Sequence, residues 1–389
     1  MTRFINYGRQ CIEEDDIQSV VETLKSDFLT QGPKVKEFEN SLTRYCGAGY
    51  AVAFSSGTAA LHGAYFAMGL GEGDEIVTSP MTFLATSNAA LFLGGKPVFV
   101  DVEPDTGNID ANLIEQAITG KTKAIVPVHF AGHPCELDKI NAIAKANNLF
   151  VVEDACHALG AEHLETKTGS CKYSDMVVFS FHPVKTITTG EGGSVLTNDE
   201  KFYDKLIMFR QHGVTKAPDK LINKTESDCG WYYEMQHLGY NYRITDIQAA
   251  LGCSQLKKLD MFIARRREIV EIYRKAFDCN DHFDFSVEKY YAKSGWHLYP
   301  IRLKDKHKSK KKEIFTKLRE NGLGVQVHYI PVHLQPYYQH LGYKKSLCPN
   351  AEEFYHSEIS LPLFPSMTND EVDHVIKTVL NVFESFAIA

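Results

Sequence analysis

The feature that most constrains the fold of this chain is a regular alternation of short apolar runs with helix-like stretches between residue 50 and about residue 210. Strands that are buried on both faces read as continuous apolar runs, and crossover helices between them lead to a mainly parallel sheet. The sequence therefore predicts an α/β fold. The predicted strands are residues 50–54, 75–78, 97–101, 123–129, 150–153, 176–181 and 194–197.

The connections and the C-terminal third refine this prediction. The last two predicted strands are joined by a loop without a helix, so we expect one of them to run antiparallel.

After about residue 250 the pattern changes to a smaller α+β arrangement, and 389 residues are long for one hydrophobic core. We predict a large domain over residues 1–250 and a small C-terminal domain over residues 251–389. The elements predicted in the second domain are a helix from 247 to 277, a strand at 296–303, a helix at 310–321, a strand at 324–329 and a helix at 369–386.

Composition excludes several classes of protein. The net charge is −7 and there is no large basic domain, which argues against a nucleic-acid partner. The nine cysteines are odd in number and none are spaced as CxxC, so a disulfide scaffold or a structural zinc site is not expected. No apolar run has the length of a signal-peptide core or of a membrane span, so we expect a cytoplasmic protein without a membrane partner.

One lysine stands out as a candidate for carbonyl chemistry. The stretch VVFSFHPVKTITTGEGGSVL, residues 177–196, places Lys185 five residues after Ser180 and just before a cluster of glycines. Near apolar surface an ammonium group is desolvated, so its pKa falls and the free amine can form a Schiff base. For most lysines a position in a surface turn is the better explanation. Here the surrounding hydroxyl groups and glycines favour a cofactor site.

Two further strand ends carry candidate binding groups. Gly57 and Thr58 follow a strand and open a helix, where free N–H groups and the helix dipole attract a phosphate. An ordinary N-cap, with Ser56 or Thr58 as the cap residue, explains this sequence equally well. Asp154 ends another strand, and its alternative role is also an N-cap. The neighbouring Glu153 has to point to the opposite face of the strand, so only one of the two acids can face the ligand.

These three positions point to one cofactor. Lys185, Asp154 and the pair Gly57–Thr58 each follow the carboxyl end of a predicted strand, where α/β sheets bind ligands. A phosphate, a cationic ring nitrogen and an aldehyde would satisfy all three, and pyridoxal phosphate carries all of these groups. Phe83 follows another strand and could stack on the ring, although a single phenylalanine is more often part of a core.

The chain resembles the sugar-modifying, DegT-type branch of the fold type I pyridoxal-phosphate aminotransferases over nearly its whole length. This resemblance implies that Lys185 is the Schiff-base lysine and the proton shuttle and that Asp154 pairs with the pyridinium nitrogen. It also implies that Gly57, Thr58 and Ser180 hold the phosphate, that Phe83 stacks on the ring, and that His157 lies beside the cofactor. Asn241 would reach the cofactor of the other subunit in a homodimer with shared active sites. The motifs that carry the resemblance are FLTQGPKVKEFE, SSGTAALH, EDACHALGA, SFHPVKTITTGEGG, GYNYRITDIQAALG, VQVHYIPVHLQPYY and EISLPLFPSMT.

Within that family, the stretches FINYGRQCIEEDD, QVHYIPVH and NVFESFAIA are similar to the branch that serves pseudaminic acid biosynthesis. This likeness implies transfer of an amino group from L-glutamate to C4 of a UDP-linked 4-keto-6-deoxy sugar. Relatives of the perosamine and 4-amino-arabinose type remain alternatives, as do a catalytically idle sensor and a dehydratase, although dehydratases of the family have histidine in place of the lysine. The residues implied to contact the nucleotide sugar are Tyr7, Asp27, Phe28, Leu29, Thr30, Val325, Gln326, Val327 and His328.

Overall fold

The computed structural model describes residues 4–223, 226 and 228–387. The predicted domain ranges and the motif NVFESFAIA therefore include terminal residues that lie outside the described part. Numbered in chain order, the strands are β1 (Ile5–Asn6), β2 (Tyr50–Phe54), β3 (Glu75–Thr78), β4 (Lys96–Phe99), β5 (Thr122–Val126), β6 (Phe150–Asp154), β7 (Glu162–His163), β8 (Thr166–Lys167), β9 (Met176–Ser180), β10 (Gly193–Thr197), β11 (Val214–Thr215), β12 (Glu234–Met235), β13 (Phe283–Phe285), β14 (Ala292–Lys293), β15 (Tyr299–Leu303), β16 (Leu323–Gly324) and β17 (Glu358–Leu361).

The helices surround these strands, and they are numbered in the same way. Among the described residues, no helix combines the length and the apolar character that crossing a bilayer requires. The helices are α1 (Glu14–Leu24), α2 (Pro33–Cys46), α3 (Gly57–Ala67), α4 (Ala85–Leu91), α5 (Leu137–Ala146), α6 (Glu200–Arg210), α7 (Asp246–Lys257), α8 (Leu259–Phe277), α9 (Asp305–Lys308), α10 (Lys311–Glu320), α11 (Pro336–His340), α12 (Pro349–Ser357) and α13 (Asn369–Ala387).

The centre of the molecule is a seven-stranded sheet with the order β2-β10-β9-β6-β5-β3-β4. The pairs from β9 through β4 are parallel, whereas β10 is antiparallel to both of its neighbours. The predicted α/β class with a mainly parallel sheet is confirmed, and the strand that follows the helix-free loop is the antiparallel one.

Helices cover both faces of this sheet because successive strand residues point to opposite sides. On β9, Val177 packs in a cluster with Phe38 of α2. The next residue, Val178, packs on the other face with Ala60 of α3 and Leu206 of α6. Because both faces are buried, the strand sequences are continuous apolar runs and do not alternate between apolar and polar residues.

The C-terminal part forms the smaller α+β arrangement. Its sheet has the order β13-β15-β17 and is antiparallel. Tyr273 of α8, Leu318 of α10 and Val375 of α13 pack against Ile301 and Ile359 of this sheet in one core. The chain start joins this part as well, since β1 pairs in parallel with β16. The division at residue 250 stays a prediction.

Three predicted elements in the C-terminal third differ from the observed ones. The helix predicted from 247 to 277 is two helices that meet at Lys258, whose ammonium group lies 2.6 Å from Asp16 of α1. The strand predicted from residue 296 starts at Tyr299, because Trp296 has a left-handed backbone with φ of 47°. The strand predicted at 324–329 pairs only through β16, and Gln326 makes an isolated bridge further on. Beyond Gln326 the chain leaves the sheet, and His328 and Tyr329 line a cavity.

Candidate active site

The candidate active site is a cavity of about 570 Å³ that includes residues from the carboxyl ends of β6 and β9. Ligands of open α/β sheets bind at this edge, outside the carboxyl ends of the strands. We call it the strand-end cavity. The predicted site residues that line it are Tyr7, Gly57, Thr58, Phe83, Asp154, His157, Ser180, Lys185 and His328.

Lys185 lies in the helix-free loop between β9 and β10. The loop is held by the N–H of Lys185, which donates to the carbonyl of His182 at 2.9 Å, and by the hydroxyl of Thr188, which donates to the carbonyl of Phe181 at 3.0 Å. Burial lowers the pKa of the Lys185 ammonium group, and the Asp154 carboxylate opposes part of this shift. A lysine with a lowered pKa supplies the free amine that attack on a carbonyl carbon needs.

The start of α3 forms an anion cradle. Ser56 is the N-cap, and its hydroxyl accepts the N–H of Ala59 at 3.1 Å. This cap satisfies only one of the N–H groups that a helix start leaves without an intrahelical partner, so capping and anion binding are compatible here. A Cβ atom on Gly57 would lie 2.9 Å from Cβ of Ser180. The absence of a side chain thus brings the helix start and the end of β9 together around Thr58 and Ser180.

Asp154 supplies the buried carboxylate of the cavity. Its Oδ2 accepts the hydroxyl of Thr86 at 2.6 Å, and its Oδ1 accepts the N–H of Cys156 at 3.2 Å. Glu153 points to the other face of β6, where its oxygens lie 2.8 Å from Nε2 of His129 and 2.5 Å from Oγ of Ser174. Only Asp154 therefore faces the cavity, as strand alternation requires.

Aromatic side chains bound the cavity beside this carboxylate. The buried ring of His157 lies with its Nε2 3.1 Å from the hydroxyl of Tyr329, and burial lowers the pKa of His157 well below its usual value. Nδ1 of His157 is buried without a hydrogen-bond partner among the described residues. Phe83 is 60% exposed, and its ring centroid lies 6.3 Å from that of Tyr329. An apolar ring that remains this open at a cavity is suited to stacking on a flat ligand.

Comparison with known proteins assigns the family. The model of the DegT/DnrJ/EryC1/StrS aminotransferase family matches residues 10–380. The chain belongs to the DegT/DnrJ/EryC1/StrS aminotransferases. It is a pyridoxal-phosphate-dependent sugar aminotransferase, which leaves the sensor and dehydratase alternatives without support.

Individual relatives of this aminotransferase match nearly its whole length. It is 41% identical over 387 residues to the UDP-4-amino-4,6-dideoxy-N-acetyl-β-L-altrosamine transaminase of Campylobacter jejuni, with 98% of each chain covered. It is 42% identical over 382 residues to the spore coat polysaccharide biosynthesis protein SpsC of Bacillus subtilis, with 97% of each covered. The structure of Helicobacter pylori PseC, an aminotransferase involved in the biosynthesis of pseudoaminic acid, matches with a TM-score of 0.91 and 36% identity over 98% of this chain and 100% of that one.

The cavity of this aminotransferase fits its cofactor. The cradle between Gly57 and Ser180 suits a phosphate, the carboxylate of Asp154 suits a protonated ring nitrogen, and the amine of Lys185 suits an aldehyde. Pyridoxal phosphate, when bound, supplies an electron sink that stabilises a substrate carbanion. The role of each residue toward it remains a prediction that the experiments below test.

Other predicted residues lie outside the cavity of the single chain. Asn241 is exposed and bridges to Gln211. Gln326 is exposed, Val327 is half-buried, and Val325 is buried in the core of the C-terminal part. The side chain of Val325 packs into that core directly after β16, and its contact with the sugar stays a prediction. The exposed segment between α1 and α2, which also does not line the cavity, contains Asp27, Phe28, Leu29 and Thr30.

Three residues of this site were not predicted from the sequence. Thr86 lies in α4, one helical turn after Thr82, and donates to Asp154. Cys156 follows Asp154 by two residues, and Tyr329 bonds to His157 from far along the chain. A threonine pair one turn apart in the motif SPMTFLATSNAA was the available signal for Thr86. No local pattern in the sequence indicates that Tyr329 belongs to the site, since its hydrogen-bond partner His157 is 172 residues away.

Proposed function

We propose that this aminotransferase transfers the amino group of L-glutamate to C4 of a UDP-linked 4-keto-6-deoxy-N-acetylhexosamine. The product would be UDP-4-amino-4,6-dideoxy-N-acetyl-β-L-altrosamine, for pseudaminic acid biosynthesis. The names of the 41% identical relative and of PseC support this substrate. The observation that carries the proposal is the presence, in one cavity, of Lys185, Asp154 and His328, the last from the stretch QVHYIPVH.

The residues of the chain have distinct tasks in this reaction. Nζ of Lys185 takes the Cα proton of glutamate and, in the second half of the reaction, delivers a proton to C4 of the sugar, as a positioned general acid–base. Asp154 would pair with the protonated ring nitrogen of the cofactor, and the hydroxyl of Thr86 and the N–H of Cys156 hold its carboxylate in place. Tyr7 and His328, whose ring centroids are 5.3 Å apart, provide polar groups for the sugar.

We also propose a cytoplasmic homodimer with shared sites, in which Asn241 reaches the phosphate of the partner's cofactor. Three large apolar side chains that precede Asn241 in the sequence are strongly exposed, Ile222 and Trp231 at 75% and Leu238 at 73%, as expected of a surface that a second copy covers. The nine cysteines are free thiols, which fits a reducing compartment. Light scattering should give a mass twice the 43.8 kDa of one chain, and a monomer would contradict the shared site.

A different nucleotide sugar is the second candidate substrate. SpsC, at 42% identity, is named for spore coat polysaccharide rather than for pseudaminic acid. Its likeness is as strong as that of the altrosamine transaminase, so a substrate of the perosamine or 4-amino-arabinose type is the alternative.

A panel of substrates separates the two candidates. The full chain with pyridoxal phosphate is incubated with ¹⁵N-labelled glutamate and with UDP-, dTDP- or GDP-linked 4-keto-6-deoxy sugars or a nucleotide-linked 4-keto pentose, and the products are analysed by mass spectrometry. We expect the label in the UDP-linked N-acetylated sugar and little in the others. Label only in a dTDP-linked, GDP-linked or pentose product would replace the proposed substrate with the alternative.

A further inference from the structure

A chain of buried hydrogen bonds leads from the strand-end cavity into the C-terminal sheet. His328 lines the cavity, and its Nδ1 lies 2.9 Å from Oγ of Ser360. The same Oγ lies 2.5 Å from Oε1 of Glu358, whose Oε2 accepts the backbone N–H of His328 at 2.8 Å. Ser360 and Glu358 are two residues apart on β17, share one face, and are fully buried. These contacts define the His328–Ser360–Glu358 relay.

The protons in this relay can be counted. Burial raises the pKa of Glu358 to about 7, against the opposing effects of the Ser360 hydroxyl and the Lys311 charge. Well above that pH the carboxylate has no proton and accepts both of its bonds, so the hydroxyl of Ser360 has to donate to it. A serine hydroxyl has one proton, which leaves Oγ as an acceptor toward His328. Nδ1 of His328 must therefore carry the ring proton.

The other ring nitrogen of His328 is then an acceptor. Burial, followed by the charge of Lys185, lowers the pKa of His328 to about 3, so the imidazole is neutral near pH 7. A neutral imidazole with its proton on Nδ1 has a lone pair on Nε2. Among the described residues Nε2 has no hydrogen-bond partner, and the ring borders the cavity beside Tyr7.

We propose that Ser360 and Glu358 are positioning residues that hold His328 in its Nδ1–H form, so that Nε2 accepts a hydrogen bond from a hydroxyl group of the bound sugar. The identity of that ligand rests on the proposed function, whereas the proton position does not. A site with a fixed acceptor discriminates against sugars that lack a donor at that point, because the acceptor would be left unpaired. The relay thus contributes to substrate specificity.

The proton position can be measured directly. The full chain with bound cofactor is labelled with ¹⁵N-histidine, and long-range ¹H–¹⁵N spectra are recorded at a pH well above the pKa of Glu358. The signal of His328 is identified by its loss in a His328→Asn variant. We expect the pattern of an imidazole protonated at Nδ1 in the absence of any sugar. A His328 signal protonated at Nε2 would overturn the proposal.

Variants of Ser360 test the link to the sugar. Ser360→Ala removes the acceptor of the Nδ1 proton, whereas Ser360→Thr keeps a hydroxyl group. We expect Ser360→Ala to change the His328 signal and to raise the apparent KM for the keto sugar about 5- to 20-fold, with kcat changed less than about 3-fold, as for a lost binding interaction. Ser360→Thr should restore both values. If Ser360→Thr had the same His328 signal and the same KM as Ser360→Ala, the positioning role would be overturned.

A matched control and a second variant complete the experiment. Ser357 is buried next to Glu358, but its hydroxyl donates to the carbonyls of Glu353 and Phe354, outside the relay. Ser357→Ala should leave the His328 signal and the KM unchanged. If Ser360→Ala does not fold, Glu358→Gln replaces it, since one amide oxygen cannot accept both bonds of the carboxylate and the His328 signal should change.

The two proposals fail independently. If the substrate panel favours another nucleotide sugar, the proposed substrate is rejected, but a proton on Nδ1 of His328 still supports the relay. Should the panel give the UDP-linked product while His328 carries its proton on Nε2, the relay falls and the proposed function stands.

Discussion

Single side chains determine what the strand-end cavity can do, and Lys185 is the first of them. We expect Lys185→Ala to lower kcat for amine transfer by at least about 10³-fold, because both the nucleophile and the general acid–base are lost. The measurement is ¹⁵N incorporation from labelled glutamate. Lys201→Ala, which changes an exposed lysine in α6, is the control and should keep full activity. Substantial turnover by Lys185→Ala would remove this residue from its role.

The hydroxyl of Thr86 supports the second key side chain, Asp154. Thr86→Val removes a buried donor 2.6 Å from Oδ2 of a carboxylate that is 4% exposed. We expect a loss of about 1–3 kcal/mol in the free energy of unfolding, since a buried acceptor is left with one bond fewer. Urea unfolding measures it. Thr316→Val removes an exposed hydroxyl bond to Lys312 in α10 and should change stability by less than about 0.5 kcal/mol. Equal losses in the two variants would contradict this account.

At the scale of elements, the site depends on how closely α3 approaches the end of β9. Gly57→Ala would place a Cβ 2.9 Å from Cβ of Ser180, and serine is too short to move aside. The helix start has to shift, so we expect the affinity for pyridoxal phosphate to fall about 10-fold or more. Titration of the apo-protein with cofactor measures this loss.

A second glycine provides the control for this experiment. A Cβ on Gly71 would meet no atom within 4 Å, and its backbone does not have a positive φ. Gly71→Ala should therefore leave the cofactor affinity unchanged. A Gly57→Ala variant with the same affinity as Gly71→Ala would show that the phosphate does not lie at the start of α3.

At the scale of the whole molecule, the buried Glu358 makes stability depend on pH. Its pKa rises from 4.5 to about 7 on folding because of burial. Between these values the folded protein binds more protons than the unfolded chain, so the free energy of unfolding falls as pH rises. The stabilisation is complete below pH 4.5 and is lost as pH rises through about 7, and its size is up to about 3 kcal/mol.

The variant Glu358→Gln isolates this contribution, since glutamine does not titrate. Relative to Glu358→Gln, the protein should lose up to about 3 kcal/mol of unfolding free energy between about pH 5 and about pH 8, as measured by urea unfolding. Lys311, whose pKa burial lowers to about 8, begins to titrate in the upper part of this window, so the change between about pH 5 and about pH 7 is the part assigned to Glu358. Parallel pH curves for the two proteins would show that Glu358 is not protonated near neutral pH.

Much of the fold was predictable because local patterns specify it. The apolar runs placed the seven strands of the central sheet, and the helix-free loop before β10 indicated its antiparallel direction. The break at Lys258 was not predictable, because the residues around it continue a helical pattern and its partner Asp16 lies 242 residues earlier. The inward orientation of Val325 was not predictable for a similar reason, since it depends on packing against residues that are distant along the chain.

By itself, the sequence determined the class of the sheet, the position of Lys185 after a strand, and the family, because each of these depends on residues that are close together along the chain. The tertiary structure alone decided which side chains reach one another in the cavity. Thr86 bonds to Asp154 across 68 residues, and Tyr329 bonds to His157 across 172. Such pairs depend on how the helices and the C-terminal part pack against the sheet, and no local pattern of residues records that packing.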